Sequence, residues 1–312
     1  MRTIFLAAAA ALALGACASD PSATQTAVAA APAQPTVEPT RIVAKGVTEA
    51  WRVGGFQLPE SVTLDPRRNI LYVSNIVGEP AGKDGIGYIS RLGFDGKVLQ
   101  EQWVTGLNAP KGMAVRGDTL YVSDIDALAV IDIPSGKVTA RHEAPGAKFL
   151  NDIAVDRQGR IYVSDLMDNA IWRLEGKRFT QWLKDEKLTS PNGLQVRGDD
   201  LIVASWGVFS GQGFATTVAG HMKAVSLKSK AVRSIGSGAP VGNLDGLEIL
   251  RDGSFLVTDW FNGGLLRIDR TGKATQLVDL PQGSADHAWL PRQKLAVVPM
   301  MLQGEVVAFR LP

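Results

Sequence analysis

Six polar residues stand at one register in six similar stretches of the chain: Glu60, Lys111, Asn151, Asn192, Asp245 and Asp286. Each directly precedes a short apolar run. Glu, Asp and Asn offer oxygen donors, which suit a hard divalent cation: Ca²⁺ first, which takes about six to eight oxygens, with Zn²⁺, Mn²⁺ or Mg²⁺ behind it. Three carboxylates against one ammonium leave the set at a formal charge of −2, which one divalent ion neutralises. Like charges gathered without a counter-ion are costly. Lys111 opens a different outcome. Its ammonium can replace the ion by pairing with Glu60, Asp245 or Asp286, leaving a non-catalytic domain for ligand or protein binding. Asn and Asp also favour turns, but Glu and Lys do not, so turn chemistry alone does not account for the set.

His287 follows Asp286. It is a candidate proton shuttle, because His titrates near neutrality, and equally a candidate hydrogen-bond partner behind the ring. The other two histidines, His142 and His221, are expected on outer strands. Several other chemistries are excluded. Cys17 is the single cysteine, so there is no disulfide, thiol nucleophile or Cys-based metal site. No GxSxG elbow is present. The stretch Gly78 to Lys83 lacks P-loop spacing, and no GxGxxG opens a helix.

The elements that would position the six residues come from a repeat. Five segments share one phrase, an apolar strand, a turn, then a second apolar strand ending in Ser, Thr, Asn or Asp. They read ESVTLDPRRNILYVSN, KGMAVRGDTLYVSD, NDIAVDRQGRIYVSD, NGLQVRGDDLIVAS and DGLEILRDGSFLVTD, and DHAWLPRQKLAVVP is a sixth. Their starts lie 51, 40, 41, 53 and 41 residues apart. That is the period of a four-stranded propeller blade. Short alternating runs bounded by Gly, Asp and Asn argue strand over helix. The expected fold is all-β: a six-bladed β-propeller with four-stranded blades over residues 46–312. The first strand of each blade lines the channel, which puts the six polar residues in one ring. The last unit has only three strands, and an open edge invites aggregation. The segment VTEAWRV, Val47 to Val53, is expected to complete that blade and close the ring. Two long loops, Asn75 to Gly85 and Ser205 to Ala219, would flank the mouth. Trp206, Phe209, Phe214, Trp260 and Phe261 are candidates to line it, with Trp206 and Trp260 as substrate contacts.

Charge is nearly balanced, at 33 Lys+Arg against 31 Asp+Glu, and no basic stripe interleaved with aromatics is found. Nucleic acid is therefore not an expected partner. Arg2 and the apolar run Ile4 to Leu14 read as an export signal, too short to span a bilayer as a helix. It ends in Leu-Gly-Ala-Cys, which resembles the lipobox of bacterial lipoproteins, so residues 1–17 are expected to be a signal peptide with Cys17 lipidated. Residues 18–45, rich in Ala, Pro, Thr and Gln, read as a flexible tether. Ala18 after the cysteine, by resemblance to Gram-negative lipoproteins, favours the outer membrane. The expected location is the periplasm, with membrane attachment through the lipid alone.

From roughly Glu49 to Pro312 the chain resembles the gluconolactonase, regucalcin and senescence-marker-protein family. It is more distantly similar to paraoxonases and diisopropyl fluorophosphatase. The carrying motifs are PESVTLD, FLNDIAVD, SPNGLQV and LDGLEIL. The resemblance implies a channel metal held by Glu60, Asn151, Asn192 and Asp245. It also implies a lactone or ester substrate whose carbonyl the metal polarises, and Asp245 as catalytic carboxylate. Sugar-lactonase members carry an Arg two residues before the Asn of the "ND" motif. Phe149 stands there in this chain, with Lys148 beside it. Lys148, Lys111, Asp286 and His287 are the polar candidates for substrate contact.

Overall fold

A computed structural model describes residues 40–312, so the export signal, Cys17 and most of the tether lie outside the described residues. Blade one comprises Pro59–Asp65, Ile70–Asn75, Gly87–Gly93 and Val98–Leu107, and blade two Pro110–Arg116, Thr119–Asp124, Ala127–Asp132 and Lys137–Glu143. Blade three runs Leu150–Val155, Ile161–Asp165, Ala170–Glu175 and Arg178–Lys184. Blade four runs Pro191–Arg197, Asp200–Ser205, Met222–Ser226 and Val232–Ser234. Blade five is Leu244–Ile249, Phe255–Asp259, Leu265–Ile268 and Ala274–Asp279. Blade six has Ala288–Leu290, Leu295–Met300 and Glu305–Arg310, and its outermost strand is Thr48–Gly54, paired antiparallel with Glu305–Arg310. Two short 3₁₀ turns are the helical content of the described residues.

The apolar residues explain why the blades stack. A strand inside a blade is covered on both faces, so its sequence is nearly continuously apolar. Its side chains still alternate between faces. In Ile70–Asn75, Leu71 and Val73 join the cluster shared with blade six, while Ile70 and Tyr72 join the one shared with blade two. The same division recurs around the ring, giving one apolar cluster in each of the six clefts between neighbouring blades. Each fully buried aliphatic side chain there contributes about 1.5–3 kcal/mol.

Two details differ from the sequence reading. Arg41–Ile42, inside the segment read as tether, is a fifth strand on the edge of blade five, held by backbone pairing and by the Arg41–Asp279 ion pair at 2.7 Å. Edge strands recruit any segment with free backbone groups. His221 precedes the third strand of blade four, where its Nε2 lies 2.9 Å from Ser234 Oγ, and is not on an outer strand.

Candidate functional site

The upper end of the inner strands is built the same way in blade after blade. Strand pairing slips between Pro59 and Ser61, Pro110 and Met113, Leu150 and Ile153, Pro191 and Leu194, and Leu244 and Leu247. Glu60, Lys111, Asn151, Asn192 and Asp245 all sit inside these bulges. A bulge re-aims side chains out of the pleat, which turns these five toward the channel. The Ser or Thr ending the neighbouring strand supports the bulge. Ser74, Ser164 and Thr258 accept the amides of Ser61, Asp152 and Gly246. The Asp after it fixes the incoming loop: Asp124 accepts from Asn108 and Ala109, and Asp165 from Lys148 and Phe149. The Ser/Thr-Asp ending of the repeated phrase is therefore the local device that holds the ring.

Neighbouring inner strands also approach very closely here. A Cβ on Gly193 would lie 2.2 Å from the carbonyl oxygen of Asp245, and one on Gly112 would lie 2.6 Å from the Cα of Asp152. Only glycine fits at those two points.

Above the ring lies a cavity of about 390 Å³ whose floor includes Glu60, Asn151 and Asp245 and whose walls are mostly apolar. The blade-one loop contributes Gly78, Glu79 and Pro80 to it, and the blade-four loop contributes Trp206 and Phe214. The second loop folds into a small hairpin, Gly207–Phe209 with Thr216–Ala219. Trp206 and Trp260 both line the cavity, with ring centroids 5.7 Å apart. Phe209 packs behind them, and Phe261 stands against Trp260 with 39% of its surface exposed.

Lys111 lines the cavity without pairing with a carboxylate. Its Nζ donates to the carbonyls of Pro80 at 2.7 Å and Ala109 at 3.0 Å, and it lies 4.3 Å from the centre of the Phe149 ring. Its hydrogen bonds thus go to backbone carbonyls and not to the ring acids. Burial pushes the Lys111 ammonium down from the usual lysine range, opposed by Glu60 and Asp124. Burial pushes the Glu60 carboxyl up, with Lys111 pulling it back and Asp286 adding to the rise. Asp245 is held well above the carboxylate range by burial, then by Glu60 and Asp286.

Glu60, Asn151, Asn192 and Asp245 are all buried, and Glu60 Oε2 and Asn192 Nδ2 have no hydrogen-bond partner. Two carboxylates and two amides form an oxygen donor set of net charge −2 that matches a hard divalent ion, since a terminal amide can turn its oxygen inward. Half of this set is amide. Among the described residues, no three His, Cys, Asp or Glu side chains gather into a metal-binding group.

The structure moves three of the sequence candidates away from the mouth. Asp286 shares the ring register, but its carboxylate accepts from Ser61 Oγ at 2.5 Å and lines a second, lower cavity of about 350 Å³. The cause is the closing seam. Ser61 and Asp286 form a parallel bridge, with Asp286 N–H donating to the Glu60 carbonyl and Val62 N–H to the Asp286 carbonyl. His287 also lines the lower cavity, buried, with neither ring nitrogen partnered, and burial holds it down to about 3. It does not reach the mouth, so it is not a proton shuttle for that site. Lys148 is exposed and absent from the cavity lining, where Phe149 takes the place beside Asn151.

Residues not singled out from sequence complete the lower half. Asp152 accepts from the amides of Ile153 and Leu194, both at 3.0 Å, and Glu248 accepts from Gln195 at 2.7 Å and from the Trp289 amide. The acid adjacent to Asn151 in FLNDIAVD was the available signal for Asp152.

The SMP-30/gluconolactonase/LRE-like region model matches residues 58–288. The chain belongs to that family. This member is similar in fold to XC5397, a gluconolactonase from Xanthomonas campestris important in glucose secondary metabolic pathways. Identity is 18%, coverage is 91% of this chain and 99% of that one, and the TM-score is 0.63. It is also similar to virginiamycin B lyase from Staphylococcus aureus, at 11% identity, 85% and 100% coverage and a TM-score of 0.58. A catalytically inactive His-to-Ala form of that lyase with quinupristin gives 12% identity, 88% and 100% coverage and a TM-score of 0.55. No curated protein matches this family member in sequence. At these identities the solved structures speak to the overall fold alone, and the site rests on the residues themselves.

Proposed function

We propose that this family member is a metal-dependent hydrolase of lactones or related esters, held at the cell envelope by a lipid on Cys17. One observation carries the reading. The buried Glu60 and Asp245 carboxyls and the Asn151 amide, with Glu60 Oε2 unpartnered, form the floor of an apolar cavity, and the buried Asn192 side chain stands beside Asp245.

Glu60, Asn151, Asn192 and Asp245 would hold one divalent cation, Ca²⁺ best by donor type. Bound there, the ion supplies Lewis-acid polarisation of the ester carbonyl. Asp245 accepts a proton from the attacking water. The water oxygen bonds to the carbonyl carbon, the ring C–O bond breaks, and the proton passes to the departing oxygen, giving a hydroxy acid. Phe149, Trp206 and Trp260 keep bulk water off this floor. The Lys111 ammonium, fixed by two carbonyls, adds positive charge at the wall. The non-catalytic alternative requires Lys111 among the ring acids, which its geometry does not favour.

The test starts from chelated protein. Adding Ca²⁺, Zn²⁺ or Mn²⁺ at about 100 times its Kd should stabilise the fold by about 2.7 kcal/mol, read as a rise in Tm. Asp245→Asn should lose that rise and reduce kcat/KM by about 10³-fold. No rise with any of these ions would sink the reading. Anchoring has its own check: Cys17→Ser should move the protein from the membrane fraction to the soluble fraction.

A further inference from the structure

The walls of the mouth carry a preference that its floor does not. Phe149–Phe214 and Trp206–Phe214 meet edge to face, at centroid distances of 5.7 and 6.0 Å, and Trp206–Trp260 meet at a tilt with centroids 5.7 Å apart. The polar atoms near them are already used. Trp206 Nε1 donates to the Phe214 carbonyl at 2.9 Å. Lys111 spends its ammonium on the Pro80 and Ala109 carbonyls and on the Phe149 ring. Beyond the floor residues, the one other charged side chain lining the cavity is Glu79, on the exposed blade-one loop.

The apolar surface continues outward. Ile86, Met167, Val208, Val218, Phe261 and Leu302 are 39–52% exposed, and they lie on the loops after the second strands of blades one, three, four, five and six. Those loops all face the mouth. An apolar cavity therefore opens onto an apolar rim.

Resting on the hydrolase reading, we propose that the site takes lactones bearing an alkyl chain rather than polyhydroxylated sugar lactones, with Phe149, Phe214 and Trp260 setting that preference. A sugar lactone would leave hydroxyls against aromatic faces without partners, and each such unpaired group costs about tenfold or more in affinity. An alkyl chain buries methylenes against the same faces, gaining about fourfold for each one. A cavity of about 390 Å³ takes the ring and the first part of the chain, and the rim carries the rest.

The full chain, supplied with divalent cation, is assayed on γ-lactones with tails from methyl to octyl and on glucono-δ-lactone. The expected result is a kcat/KM rising about fourfold per methylene over the shorter tails, with the longer members well above the sugar lactone. Phe214→Ser, on the surface hairpin, should flatten the rise, and Trp260→Ser should do the same from the blade-five end of the aromatic cluster. A faster sugar lactone, or no dependence on tail length, would overturn the preference and leave the hydrolase reading standing. If no lactone is turned over, displacement of bound 1-anilinonaphthalene-8-sulfonate from the same protein separates the two ideas. Displacement by γ-nonalactone and not by gluconolactone keeps the preference while the hydrolase reading fails, and no displacement by either overturns both.

Discussion

The two halves of the channel are built from the same strands and the same residue types, yet they differ in how their acids are satisfied. In the lower half, Asp152, Asp286 and Glu248 each accept hydrogen bonds from neighbouring strands. These acids tie inner strands together across blade boundaries. At the mouth, Glu60 Oε2 and Asn192 Nδ2 are buried with no partner. A buried unpartnered carboxylate oxygen costs free energy. Acids in the lower half act as joints, whereas Glu60 at the mouth keeps one oxygen unpartnered.

That contrast can be broken by three substitutions. The largest effect is expected from Glu60→Gln. Turnover should fall by about 10²-fold or more, and the metal-induced rise in Tm should vanish. The chelated protein should be no less stable than wild type, because burial already disfavours the Glu60 charge. Asp152→Asn should show the opposite pattern. Ile153 bonds one Asp152 oxygen and Leu194 the other, and an amide keeps only one of the two as an acceptor, so urea denaturation should report a loss of about 1–3 kcal/mol, with the response to metal retained. If Asp152→Asn abolished the metal response and Glu60→Gln did not, the two halves would have to be exchanged.

The smallest effect is pH-dependent. Burial holds His287 down to about 3, against an ordinary value of 6.5. Between those values the unfolded chain binds a proton that the folded chain refuses, so stability falls as pH drops below 6.5 and is fully present above it. The slope from this one group is about 1.4 kcal/mol per pH unit. His287→Leu should remove that contribution, seen by comparing denaturation at pH 5 and pH 7.5, and should leave kcat unchanged. A large fall in kcat would return His287 to the mouth chemistry.

The blades were legible because each repeat carries its own strand periodicity and turn residues. The ring at Glu60, Lys111, Asn151, Asn192 and Asp245 was legible because the bulge recurs at one register. The failures have a common physical origin in contacts that no single repeat contains. Asp286 is drawn downward by the parallel bridge to Ser61, across the seam between the sixth blade and the first. The direction of the Lys111 ammonium is set by the Pro80 carbonyl, in an irregular loop of another blade. Lys148 and Phe149 are adjacent, and which one faces inward depends on how Asp165 grips both their amides.

The pairing of Thr48–Gly54 with Glu305–Arg310 also governs the order of events during biosynthesis. The earlier strand leaves the ribosome among the first of those described here and its partner among the last. Trp51 on that strand donates from Nε1 to the Phe94 carbonyl at 3.0 Å, so it latches blade six to blade one as well. Until Glu305–Arg310 is available, blades can form one after another but the circle stays open, with the apolar flanks of its two ends uncovered. Contacts between residues so distant in sequence form slowly. The nascent chain should therefore remain a substrate for chaperones until its final strand has been made.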